Sequence, residues 1–134
     1  MQTAAYHSGF QEQAERIRND FLRFLLDCRR DGRSVCAYGA AAKGNTLLNF
    51  AGVRPDLLPF VVDASPHKQG LYLPGSRIPV VPEERLRQAK PDFVVILPWN
   101  LRDEISTQLS YIGAWGGRFV TAVPGLELFD PVTP

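Results

Sequence analysis

From Gly9 to Arg30 the apolar residues Phe10, Ala14, Ile17, Phe21, Phe24 and Cys28 recur at spacings of three or four. That period makes one continuous stripe along a helix. Ser8 followed by Gln11 reads as a capping box at its start, and Asp31-Gly32 as its stop. From Ser34 the pattern changes to short apolar runs separated by helical stretches. Ser34 to Tyr38 reads as a strand running into Gly39, and Lys43 to Phe50 as a helix. Leu58 to Asp63 is a second strand. Ile78 to Val81 is a third, with Pro79 suited to a strand end or sheet edge. Pro82-Glu83-Glu84 opens a helix with proline near its first position. Phe93 to Leu97 is the clearest buried strand, and Asn100 can cap a helix from Leu101 to about Tyr111. Arg118 to Val123 is the last strand, and Pro124 to Pro134 reads as a loop-like tail.

Strands that alternate with helices and are apolar on both faces predict a parallel sheet covered by helices. Right-handed crossovers then give an α/β, Rossmann-like, three-layer domain with a mostly parallel sheet of about five strands, in the order 3-2-1-4-5. The long N-terminal helix, over 1–32, precedes the Rossmann-like part, over 33–134. It packs on that part or leads into it from something upstream. A chain that opens on a helix before its first strand hints at a domain taken from a longer protein.

Composition narrows the function classes. At 45% hydrophobic and 22% charged, the chain matches an ordinary globular protein. Its net charge of +1 argues against a nucleic-acid groove or an anionic membrane surface as partner, because both demand clustered basic charge. There is neither a bilayer-length apolar run nor a signal-peptide pattern, so a cytoplasmic location is the default expectation. Cys28 falls on the helical stripe and Cys36 inside a strand. Two buried thiols explain them better than a disulfide or metal site, and His7 and His67 lie far apart in sequence.

In an open parallel sheet, ligands bind beyond the carboxyl ends of the strands. Three segments qualify. In Tyr38-Gly39-Ala40-Ala41-Ala42-Lys43-Gly44-Asn45-Thr46, glycines at the ends and alanines between allow close backbone approach. The helix that follows would turn its free N–H groups toward an anion, with Lys43 beside them. The segment resembles the dinucleotide fingerprint with alanine in place of the middle glycine, and also a Walker A loop with its lysine misplaced, matching neither fully; a tight turn with no ligand is the alternative. Asp63 ends the second strand, where an acid binds ribose hydroxyls in dinucleotide enzymes; a strand-end cap is the alternative. The long loop beyond it carries Lys68. Trp99, directly after the buried strand, can stack on a base or sugar or roof the core. Asn100 can bind a ligand or only cap its helix. No catalytic set is assembled on these loops.

Together these segments resemble the C-terminal domain of the sugar C-methyltransferases. The likeness is carried by Tyr38 to Asn49, by Val62-Asp63 through Lys68-Gln69-Gly70 to Leu73-Pro74-Gly75, by Ile78-Pro79-Val80, and by Leu97-Pro98-Trp99-Asn100 with Glu104-Ile105. It runs from about Phe10 to Val123 in the family's order. The resemblance implies a whole enzyme with an N-terminal zinc-binding segment, a central S-adenosylmethionine-dependent methyltransferase domain, and this domain at the C-terminus. Such enzymes methylate a carbon beside the ketone of a nucleotide-linked deoxy-keto sugar, through an enolate that attacks the sulfonium methyl. The expected partners are therefore a nucleotide-linked sugar and the central domain of the same polypeptide. Zinc and S-adenosylmethionine are expected in the full-length enzyme, with no cofactor bound by this domain and no methyl transfer by it alone. On this reading the substrate-binding residues are Tyr38, Gly39, Ala40, Lys43, Gly44, Asn45, Asp63, Lys68, Trp99 and Asn100. Gly39 to Asn45 lie near the diphosphate, Lys43 and Lys68 serve as charge partners, and Trp99 as a flat surface. A thymidine nucleotide lacks the 2′-hydroxyl, which weakens a ribose role for Asp63. The competing readings are an independent dinucleotide- or coenzyme-A-binding module and a purely structural docking domain.

Overall fold

The computed structural model describes residues 2–132, with side chains described from Gly9 onward. A helix, α1 (Gln2–Arg30), leads into β1 (Val35–Tyr38) and α2 (Ala42–Ala51). Then come β2 (Val61–Val62), β3 (Val80–Val81), α3 (Glu84–Ala89), β4 (Phe93–Ile96), α4 (Arg102–Gln108), β5 (Arg118–Thr121) and β6 (Glu127–Phe129). A 3₁₀ turn over Trp99–Leu101 precedes α4 and another, over Ser110–Trp115, follows it. The six-stranded sheet has the order β3-β2-β1-β4-β5-β6. Its first five strands are parallel, in the expected order, and β6 is antiparallel to β5.

The layers follow from the crossovers. α2 covers one face over β1 and β2, while α3 and α4 cover the other. That leaves β4 and β5 bare on the first face, and α1 fills the gap. Its Phe21, Leu25 and Cys28 are buried in one cluster with Val95 and Val120, and Phe24 meets Phe93 edge-on with ring centroids 5.1 Å apart. The Arg33 N–H returns to the Cys28 carbonyl at 2.8 Å to close the helix at Asp31-Gly32.

Several expectations are corrected. α1 runs unbroken through Ser8, so Ser8 does not open it: the residues before it also sustain the helical hydrogen-bond ladder. The second and third strands pair over two residues each, shorter than their apolar runs. Asn100 caps nothing. It lies exposed in the 3₁₀ turn, and α4 starts at Arg102 with no side-chain cap. α4 also stops early, at Gln108. Ser106 and Thr107 both donate to the Asp103 carbonyl, at 3.0 and 2.9 Å, in competition with the main-chain ladder. The tail forms β6, where Phe129 packs on Phe119 and where Arg102–Glu127 (2.8 Å) and Arg118–Asp130 (2.7 Å) pin the edge.

Cys28 and Cys36 sit in opposite clusters and are both unpaired. Burial, and then Asp27 and Asp31, push the Cys28 thiol up to about 11; burial alone raises Cys36 further. A thiol reagent at pH 8 is therefore expected to modify neither until the protein is unfolded, since the thiolate is the nucleophile.

Candidate functional site

Tyr38 to Asn45, Asp63 to Gln69 and Leu97 to Asn100 lie at the carboxyl ends of β1, β2 and β4, while Ile78-Pro79-Val80 leads into the amino end of β3, and contacts between the segments sort their residues by role. Gly39 leaves β1 at φ +95, and a Cβ there would lie 2.5 Å from Cγ and Cδ of Pro98. Gly44 faces Leu97, whose Cβ would stand 2.6 Å from an added Cβ, so the glycine lets α2 close onto β4. These two glycines therefore fit the β1–α2 turn against the Leu97-Pro98 corner, at the point between β1 and β4 where the order of the strands reverses. Asn49, on the outer part of α2, donates to the Pro74 carbonyl at 3.0 Å and ties in the loop before β3.

Asp63 has three connections to the surrounding loops. Its Oδ2 accepts the Ala40 N–H and its Oδ1 the Ser65 N–H, both at 2.8 Å. Its carbonyl accepts from Gln69 Nε2 at 2.9 Å. Lys68 folds back to donate from Nζ to the Ala40 carbonyl at 3.1 Å. Ala40 is thus held at both its N–H and its carbonyl by the loop after β2. Tyr38 points away from this turn into the opposite cluster, where its hydroxyl accepts from Gln108 Nε2 at 2.9 Å. Gln108 also reaches Glu83, which takes the Tyr111 hydroxyl at 2.9 Å. Burial raises the Tyr38 phenol, against the Gln108 hydrogen bond, which lowers it.

The N-terminus of α2 remains open. Its cap position is Ala41, in extended geometry and with no side-chain hydrogen bond. Alanine is among the poorest capping residues, so the N–H groups of Ala42, Lys43 and Gly44 have no side-chain acceptor. The first helical bond runs from Asn45 N–H to the Ala41 carbonyl at 3.0 Å. Lys43 is exposed at this end. The Asn45 Oδ1 is buried without a hydrogen-bond partner. Trp99 is half-buried against the first cluster, and Asn100 is exposed beside it. An open helix end with an adjacent cation suits an anion such as a phosphate.

Among the substrate-binding residues expected from the sequence, the structure gathers Gly39, Ala40, Lys43, Gly44, Asn45, Asp63, Lys68, Trp99 and Asn100 onto these adjoining loops. It turns Tyr38 to the other face. Sequence reasoning gave no individual role to Asn49, Gln69 and Pro98, though all three stand in the motif segments. Two concavities, of about 320 and 420 Å³, lie at the other end of the strands, against Arg33 and the start of β1 and β4. Neither includes a motif-loop residue, and no open helix end faces them. Among the described residues no three His, Cys, Asp or Glu side chains gather as metal ligands, so the residues here do not fit zinc. No described helix is long and apolar enough to cross a membrane.

The fold is an α/β domain with a mostly parallel sheet, in which the strand-to-helix turn after β1 leads into the uncapped α2 terminus. Residues 1–124 match the family model described as C-methyltransferase C-terminal domain, and the chain belongs to that family. It is 35% identical over 115 residues to the C-methyltransferase NovU of Streptomyces niveus, an alignment covering 86% of this chain and 27% of that protein. The chain thus spans about a quarter of that relative's length. In outline it is similar to the crystal structure of UDP-D-quinovosamine 4-dehydrogenase from Vibrio fischeri. There the TM-score is 0.48 at 14% identity, over 69% of this chain and 79% of the other.

Proposed function

We propose that this chain is the substrate-binding domain of an S-adenosylmethionine-dependent sugar C-methyltransferase, and that it holds the diphosphate of a nucleotide-linked sugar at the N-terminus of α2. The observation that carries the reading is that terminus: ten residues of helix begin at an alanine cap, with Lys43 exposed beside the open N–H groups. The helix dipole and the donors favour negative charge there, and Lys43 adds a full positive charge. Lys68, held only on a carbonyl, can turn from Ala40 to a phosphate oxygen without breaking an ion pair. Trp99 offers the flat surface for the sugar or base. S-adenosylmethionine supplies the methyl group when bound in the rest of such an enzyme, and the residues of this chain bind and orient the acceptor. The catalytic domain of the same polypeptide is the expected partner across this loop surface.

The reading is tested by an NMR titration of the labelled chain with thymidine diphosphate, thymidine diphosphate-glucose, NAD and S-adenosylmethionine. Shifts from Gly39 to Asn45, at Lys68 and at Trp99 are expected with the two thymidine compounds. Shifts with NAD alone would make the chain a dinucleotide module, and silence from all four would leave a docking domain. Lys43→Ala is expected to weaken thymidine diphosphate binding about fivefold at low salt, with the difference shrinking as salt rises. Its unfolding free energy should stay within about 0.5 kcal/mol of the parent. Equal affinity in parent and variant would remove Lys43 from the site.

A further inference from the structure

In dinucleotide-binding folds the acid at the end of the second strand takes the ribose hydroxyls, and so reads the sugar of the nucleoside. Here Asp63 occupies that place, but its carboxylate is already engaged. One oxygen accepts the Ala40 N–H and the other the Ser65 N–H, each at 2.8 Å. A carboxylate that accepts two backbone N–H groups is held in one orientation by charge-assisted bonds. The same loop also grips the residues around it. Gln69 Nε2 donates to the Asp63 carbonyl at 2.9 Å, and Lys68 Nζ to the Ala40 carbonyl at 3.1 Å. Ala40 is followed by Ala41, the cap position of α2. The loop after β2 therefore sets the backbone that leads into the open helix end.

We infer that Asp63 is a positioning residue, which fixes the Ala40 peptide and with it the α2 terminus, and that the site is blind to the nucleoside 2′-hydroxyl. The inference rests on the proposed anion site at α2 for its specificity half. Its positioning half stands on the hydrogen bonds alone. Each oxygen keeps a second lone pair, but re-aiming the carboxylate at a ribose hydroxyl would weaken at least one bond to a backbone N–H. That N–H would then lose its partner in a half-buried setting, which costs more than one new hydroxyl bond returns. Base and phosphate contacts are left to distinguish ligands.

UDP and dUDP differ only in the 2′-hydroxyl and make the direct probe. The intact chain should bind both with dissociation constants within about twofold of each other. Asp63→Asn keeps one acceptor and places an N–H₂ against the other N–H. It is expected to weaken both nucleotides about tenfold and equally, the loss of roughly one charge-assisted bond. Amide hydrogen exchange, measured without nucleotide, should show Ala40 and Ser65 losing protection in the variant while β4 and β5 amides keep theirs. A parent preference for UDP of tenfold or more, abolished in Asp63→Asn, would overturn the inference and leave the anion site standing. Failure of both nucleotides to bind, with the exchange result as expected, would uphold the positioning role and overturn the anion site instead. Unchanged exchange at Ala40 and Ser65 would remove the positioning role. The parent comparison of UDP with dUDP needs no variant to fold.

Discussion

Gly39→Ala is expected to destabilise the chain by about 3–5 kcal/mol, combining a strained backbone with an overfilled contact. Gly39 has φ +95, a region a residue with a Cβ adopts only under strain. The added methyl would also meet Pro98 Cγ and Cδ at 2.5 Å, closer than Cβ contacts normally come. A pyrrolidine ring cannot rotate away as a long side chain would. Relief therefore needs a backbone shift, either of the β1–α2 turn or of the Leu97-Pro98 corner. Both choices damage the candidate site. The first breaks the 2.7 Å bond from the Gly39 N–H to the Val62 carbonyl. The second lifts Trp99. Urea denaturation of parent and variant measures the cost. A difference below about 1 kcal/mol would mean that the turn has slack, and that Gly39 is present for ligand approach rather than for packing.

The same residue explains how much of the site could be read from the sequence. The glycines, alanines and Lys43 of the first turn stand together in the chain, so a local pattern reveals a strand-to-helix turn with an open helix end. The order of the five parallel strands was legible for a similar reason: buried apolar runs and right-handed crossovers leave few arrangements. What Gly39 packs against was not legible, because Pro98 lies far along the chain and only the sheet brings β1 beside β4. The bond from Gln108 to Tyr38 spans 70 positions, and the tyrosine lies in the cluster on the face away from the candidate site. Asp63 shows the limit most clearly. Its place at the end of a strand is local, but its choice of the Ala40 N–H depends on β1 lying next to β2. β6 was missed for another reason. Glu127 is exposed while Leu128 and Phe129 are both half-buried, a three-residue run with no alternation to mark it as a strand without β5 to pair with. Asn100 was misjudged because a capping side chain was assigned from its identity, while Pro98 sets the 3₁₀ turn that carries it.

Phe21→Ala is the second change with a large expected effect, a loss of about 3–5 kcal/mol of unfolding free energy. Phe21 is fully buried and shares its cluster with Val95, Val120 and Leu97. The right-handed crossovers leave β4 and β5 uncovered on this face, so no other helix can close over the cavity. Phe10 belongs to the same sequence stripe but is 67% exposed. Phe10→Ala should therefore change stability by no more than about 0.5 kcal/mol. The contrast separates the part of α1 that builds the domain from the exposed part around Phe10, which the uniform spacing of the stripe cannot do. Leu97 sits in the same cluster, and Trp99 packs against it. Loosening α1 should accordingly reach the candidate site, as a shift of the Trp99 indole resonance in Phe21→Ala that Phe10→Ala lacks. Equal small effects of the two substitutions on urea midpoints would mean that α1 is an appendage, and that the sheet core is stable without it.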